Sequence, residues 1–317
     1  MIGSSIQAII GIFLMLALGY FLAARGIATE KAQSMMGRLL IDFAVPCTVV
    51  SCFQNRVTLD RIGELSVLAA VAAITILGCV IAALLWSFVI RLPAGRRGVF
   101  TVMASLSNAG FIGLPTAYAV FGDQGLTSSL MYFVIGTIVG NSIILPWIQR
   151  DAAVTQGVRM GGSVFGTLKK IFTGPPILAV LLSLALLFLH IRLPKFIMVA
   201  VDGIADMTSG LSLIYTGTVV YEVGFRNFKP EKGIIWATLF RLVISTAFTL
   251  AVALGFGLKG VDLQVTVLMS ALPSPIFPVT ACRTLETNAA YSAKLLMYTL
   301  IGSFVTLPLS MAVVNLC

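Results

Sequence analysis

The residues of this sequence that could do chemistry are few and scattered. There is one histidine, His190, and no Gly-x-Ser-x-Gly or His-Glu-x-x-His run, so no nucleophile meets its base and no catalytic metal site forms. Cys47, Cys52, Cys79, Cys282 and Cys317 have no Cys-x-x-Cys or Cys/His spacing and read as small apolar residues. An enzyme is therefore excluded, and no cofactor or metal is expected. What remains are ionisable groups inside apolar stretches, where a charge is a functional suspect by default. Asp202 and Asp206, four apart, share a helix face. They either carry protons, if burial strengthens their hold on them, or face a dimer surface or an outer vestibule. Asp42 stands near the start of its stretch, at the interface or within it. Arg241 either attracts a substrate carboxylate, or snorkels to the surface or pairs with an acid. His190 reads as an interface residue.

Two polar interruptions are more informative. "SLSNAGFIGLP" (105–115) places Asn108, Gly110, Gly113 and Pro115 in the middle of a long apolar run, and "ALPSPIFP" (271–278) places three prolines within six positions of another. Glycine and asparagine weaken a helix, and proline removes a donor and disfavours helical geometry at the residue before it. Both helices are predicted to break. Unpaired backbone survives at membrane depth only inside protein or beside a watery cavity. Two breaks that meet would aim the amide-rich ends of the following half-helices at one point, holding an anion without lysine or arginine. Asn108, Ser107 and Ser274 could add neutral hydrogen bonds. The plainer alternative is a pair of proline kinks in packed helices. No carboxylate lies in 105–115 or 271–281, which disfavours a sodium site and leaves proton-linked movement or a uniport open.

The elements that must position these residues follow from composition. With 58% hydrophobic and 10% charged residues, the chain cannot bury its apolar surface in water and must be solvated by lipid. Ten apolar runs, each near the roughly 20 residues that span a bilayer, occur at about 5–24, 37–54, 66–90, 98–121, 126–148, 168–190, 196–221, 233–257, 261–282 and 289–315. The first has no positively charged start, which argues for an uncleaved helix entering with its N-terminus outside. Alternate loops then hold Arg25, Lys31, Arg38, Arg91, Arg96, Arg97, Arg150, Arg159, Lys169, Lys170, Arg226, Lys229, Lys232, Arg283 and Lys294, against Arg56, Arg61, Arg192, Lys195 and Lys259 on the other side. Both termini are thus placed outside a cell inner (plasma) membrane, with Trp86, Trp147 and Trp236 at inner helix ends. The net charge of +9 is explained by this bias and not by a nucleic-acid partner.

The chain also repeats. A shift of 166 residues lays "MASLSNAGFIGLP" over "MSALPSPIFPVTA" and, without a gap, "LMYFVIG" (130–136) over "LMYTLIG" (296–302). An offset of five spans reverses direction through the membrane. The fold class is therefore an all-α transmembrane one, ten helices in two inverted five-helix repeats, 1–150 and 151–317, an architecture that recurs in secondary transporters. Chance likeness between two apolar sequences is the alternative.

"SLSNAGFIGLPTAYAVFG", "LMYFVIGTIVGN", "ALPSPIFPVTACRT" and "TLIGSFVTLPL" together resemble the auxin efflux carrier family in its short bacterial form, described as permeases for malonate, malate or other organic acids. The resemblance runs from "LLIDFAVPC" to the C-terminus. It implies a fold similar to bile acid symporters and sodium/proton antiporters. Spans 1, 2, 6 and 7 would form a scaffold that commonly dimerises, and spans 3–5 and 8–10 a moving transport domain with broken, crossed helices 4 and 9. It implies a secondary transporter of a malonate- or malate-like carboxylate working as an elevator, as a homodimer in the bilayer. By that likeness Asn108, with Gly110 and Pro115, faces Ser274, Pro275 and Ile276 across the crossover. Asn141 adds a polar contact, and Pro46, Thr48 and Ser51 add the scaffold side. The short loop between spans 5 and 6 makes plant-hormone transport less fitting, so an auxin-like aromatic carboxylate stands as an alternative, as does a ligand sensor built on the same pocket.

Overall fold

Lipid offers the backbone no hydrogen bonds, so an apolar chain must satisfy its amides within each segment. The computed structural model describes residues 2–157, 173–224, 229 and 231–314, and among them the regular structure is helical, without strands. The helices are α1 (Ile2–Ala24), α2 (Glu30–Leu39), α3 (Val45–Arg56), α4 (Ile62–Val89), α5 (Arg97–Ser105), α6 (Leu114–Gln156), α7 (Pro175–Phe188), α8 (Lys195–Val223), α9 (Lys232–Leu239), α10 (Ser245–Gly255), α11 (Gly260–Ala271), α12 (Phe277–Thr284) and α13 (Ala289–Val314). Wide π-helical turns at Leu40–Ala44 and Phe240–Ile244 join α2 to α3 and α9 to α10, and a third, Ala109–Gly113, opens α6.

Among the described residues, six helical stretches are long and apolar enough to cross a bilayer: Glu30–Arg56, Leu59–Val89, Ala94–Gln156, Lys195–Val223, Gly233–Gly255 and Ala289–Val314. Ile10–Ala24, Pro175–Phe188 and Gly260–Ala271 are shorter apolar helices. The fourth and fifth predicted runs meet at a kink within α6, at Gly122, whose φ of 63° and ψ of −146° suit a residue without a Cβ. The start of the sixth run (168–172), and Arg159, Lys169, Lys170, Arg226 and Cys317, lie outside the described residues.

Packing sorts the helices into two groups. In one, α1 lies along α8, and α3 packs on α7 and α8. Cβ atoms built on Gly19 and Gly217 would fall 2.0 Å from the carbonyl oxygens of Ile214 and Leu16, so the backbones of α1 and α8 touch where these glycines sit. Thr48, buried on α3, donates to the Ala44 carbonyl at 2.9 Å and meets Thr208 of α8 at 2.8 Å. In the other group α4 packs on α5, α6 and α10, while α11 packs on α6, α10 and α13. The groups meet along α6 and α13, among other places where Phe13 of α1 stacks on Phe304 of α13, ring centres 3.4 Å apart, and where Phe111 meets Tyr215 of α8 edge-on.

Candidate functional site: a crossover of two interrupted helices

The first interruption begins where α5 ends. Leu106 turns extended (φ −92°, ψ 144°), and the chain re-enters helical geometry after Asn108. Asn108 is an N-cap: its Oδ1 accepts from the Phe111 amide at 3.3 Å. Pro115 is not in the break. It is the second residue of α6, directly after the wide turn Ala109–Gly113 and within the helical run that Asn108 opens. The second interruption runs from Leu272, with φ −67° and ψ 155°, to Ile276, and Pro278 likewise falls in the first turn of α12.

The two interruptions are joined. The Asn108 amide donates to the Pro273 carbonyl at 2.9 Å. Ser274 Oγ donates to the Met103 carbonyl at 2.5 Å, and the Ser274 amide donates to Thr299 Oγ1 at 3.1 Å. Gly113 lets α6 approach Met269 and Leu272, whose side chains would meet a Cβ there at under 3 Å. Backbone groups that the breaks leave open are thus satisfied across the crossover, as a buried irregular backbone requires.

Beside it lies a cavity of about 270 Å³. Of the residues expected at the site, Asn108, Gly110, Asn141, Pro275 and Ile276 line it. Pro115, Ser274, Thr48, Arg241, Asp202 and Asp206 do not. Ser274 is spent on stitching the interruptions together. Asp202 is half-buried and accepts from Ser51 at 2.6 Å and Asn55 at 3.1 Å, while Asp206 is exposed. Asp42 is exposed too. Arg241 neither snorkels nor pairs with an acid; it is wholly buried and donates to the carbonyls of Ser105, at 2.5 Å, and Ser270.

The remaining walls are mostly apolar: Phe111, Phe133 and Phe277 with Ile41, Val45 and Ile144. Sequence reasoning missed these because an aromatic in an apolar helix carries no positional signal until the helix is placed. Pro175 and Pro176, at the start of α7, also reach the cavity and were a legible break signal in "TGPPIL" that went unused. The polar groups are Ser107, Asn108, Thr137 and Asn141. Thr137 donates back to its own helix, to the Phe133 carbonyl at 2.8 Å.

Asn108 is 4% exposed, and its Nδ2 has no hydrogen-bond partner. Because Oδ1 must face the Phe111 amide, the donor end of the side chain is fixed by the cap and left over. A buried donor without a partner costs free energy, so the site suits a guest that supplies an acceptor. It stands at the start of a helix whose first amides carry partial positive charge.

Comparison with known proteins places the chain among transporters. Over residues 4–311 the chain matches the model of a family described as membrane transport protein. It is 25% identical to an uncharacterized transporter of Methanocaldococcus jannaschii over 94% of this chain and 95% of the relative. It is 26% identical to one of Methanothermobacter thermautotrophicus, over 96% and 97%. The uncharacterized transporter YfdV of Escherichia coli is 22% identical over 94% of each chain. A match over nearly the whole length, on a helical chain built for lipid, establishes that this protein is a multi-pass membrane protein of the auxin efflux carrier family of transporters.

Proposed function

We propose that the protein carries a small organic anion across the membrane, bound at the crossover with its carboxylate on Asn108. The carrying observation is the unpartnered, buried Nδ2 of Asn108, a residue that stands at the start of a helix and lines a cavity of organic-molecule size. The lining refines the guest. Beside four polar residues the walls are mostly aromatic and branched aliphatic, which suits a carboxylate with an apolar body. A second charge, as on a malonate- or malate-like substrate, would find no cationic side chain among the described lining residues.

In this reading the ten apolar runs form two inverted five-helix repeats, and the two packing groups are a scaffold and a moving transport unit. Supporting it are the register of the two interruptions in the repeat, their meeting through Asn108 and Pro273, and the close seam between α1 and α8. The cavity is nearer the end of the bundle holding the basic loops, since Ile41 lies one turn from Arg38 and Ile144 two turns from Arg150. The site then faces inward.

The test is flux into proteoliposomes. Protein-dependent, saturable uptake of 4-methylpentanoate exceeding that of succinate is expected, and unchanged when choline replaces sodium, since no carboxylate lines the cavity. Uptake of succinate alone would move the preference back to dicarboxylates. Flux abolished by choline would require a sodium site elsewhere.

A further inference from the structure

Arg241 stands apart from the cavity lining. It belongs to the wide turn Phe240–Ile244, is 0% exposed, and its two terminal nitrogens donate to Ser105 and Ser270. Ser105 is the last residue of α5 and Ser270 the last but one of α11. One planar fork therefore bridges the carboxyl ends of both half-helices that stop at the crossover. Thr246 adds a longer contact to the same Ser270 carbonyl, at 3.5 Å. Among the described residues no carboxylate lies within ion-pair distance of the guanidinium. Arg241 itself does not line the cavity, but Ser107, two residues beyond the Ser105 carbonyl it binds, does.

The charges can be counted. Each helix end carries about half an elementary charge, negative at carboxyl ends and positive at amino ends. Two interrupted helices bring two of each to the crossover, which cancel and favour neither sign of guest. A guanidinium, a permanent cation in proteins, offsets the two negative ends and leaves the two positive ones uncompensated. We infer that Arg241 is a positioning residue that clamps the two half-helix ends together and, by neutralising them, makes the crossover selective for anions without touching the bound one.

The selectivity half rests on the cavity reading above, while the clamp does not need it, and two measurements separate them. Hydrogen exchange is followed on the full chain in detergent for Arg241→Lys, which keeps the charge but loses the fork. Amides of 106–113 and 272–278 are expected to exchange severalfold faster together. No change, or a change at one interruption only, overturns the clamp. Calorimetry then compares 4-methylpentanoate with its neutral amide. In wild type the acid binds more tightly; Arg241→Gln is expected to weaken the acid about tenfold or more and the amide less than about twofold, one unit charge at intermediate distance being worth this much at an effective dielectric near 20. Arg241→Lys retains the preference. Equal losses for acid and amide overturn the charge role and leave a structural one. Binding of neither probe to wild type overturns the cavity reading and the selectivity role with it, and the clamp is then judged by exchange alone.

Discussion

At the scale of the residue, Asn108 does two things with one amide. Its oxygen closes the first turn after the break, and its nitrogen is left without a partner. The two roles separate by substitution. Asn108→Asp keeps an acceptor for the Phe111 amide but replaces the donor by a negative charge, so helix capping should survive while anion binding falls by more than about tenfold. Asn108→Ala loses both, and the missing cap should lower stability by about 0.5–2 kcal/mol. Thermal denaturation alongside calorimetry with 4-methylpentanoate checks the pair. Binding retained in Asn108→Asp would take this side chain out of the site.

At the scale of the element, what decides the architecture is where helices stop and where they touch. Gly122 bends α6 in a conformation disfavoured for other residues, and Gly122→Ala should cost about 1–3 kcal/mol. Gly217→Ala pushes a methyl into the Leu16 carbonyl and should cost about 1–3 kcal/mol, read as a lower midpoint of thermal unfolding in detergent. A wild-type midpoint for Gly217→Ala would mean that α1 and α8 part more easily than their contact suggests. The breaks themselves were legible, because proline, glycine and asparagine act through their own backbone and need no neighbours. Their partners were not. Nothing in "SLSNAGFIGLP" says that Asn108 will donate to Pro273, or that Ser274 will reach Met103 and so turn away from the cavity. The same holds for Arg241. A lone arginine in an apolar run fits a substrate, a lipid headgroup or an acid equally well, and the two carbonyls it binds come from segments 136 and 29 residues away.

At the scale of the whole molecule, two of the basic residues at one end, Arg96 and Lys294, are tied by one carboxylate. Glu231 accepts from Lys294 at 2.6 Å and Arg96 at 3.2 Å, linking the segment before α5, the start of α9 and α13. The Lys294 hydrogen bond foremost, and then the charges of Lys294 and Arg96, hold the Glu231 carboxyl below its ordinary range. A depressed carboxylate gives stability that is present above its unfolded value and lost as pH falls through the folded one. The wild type should therefore lose part of its stability on acidification below about pH 4.5, and Glu231→Gln should be less stable at neutral pH and converge with wild type in acid. Parallel pH profiles for the two would remove Glu231 from this account. Since the group is partly exposed, the effect should also shrink in high salt.

The contact of α1 with α8 carries a consequence for how such a chain can move. Where Gly19 and Gly217 meet the opposing carbonyls, main chain lies against main chain, leaving no rotamers to rearrange and no side-chain ridge for one helix to ride over. The two behave as a single strut. Any large displacement during a working cycle must be taken up where side chains can slide, as at the flat Phe13–Phe304 stack, and a tether placed across that stack should arrest the cycle while one across the glycine seam leaves it running.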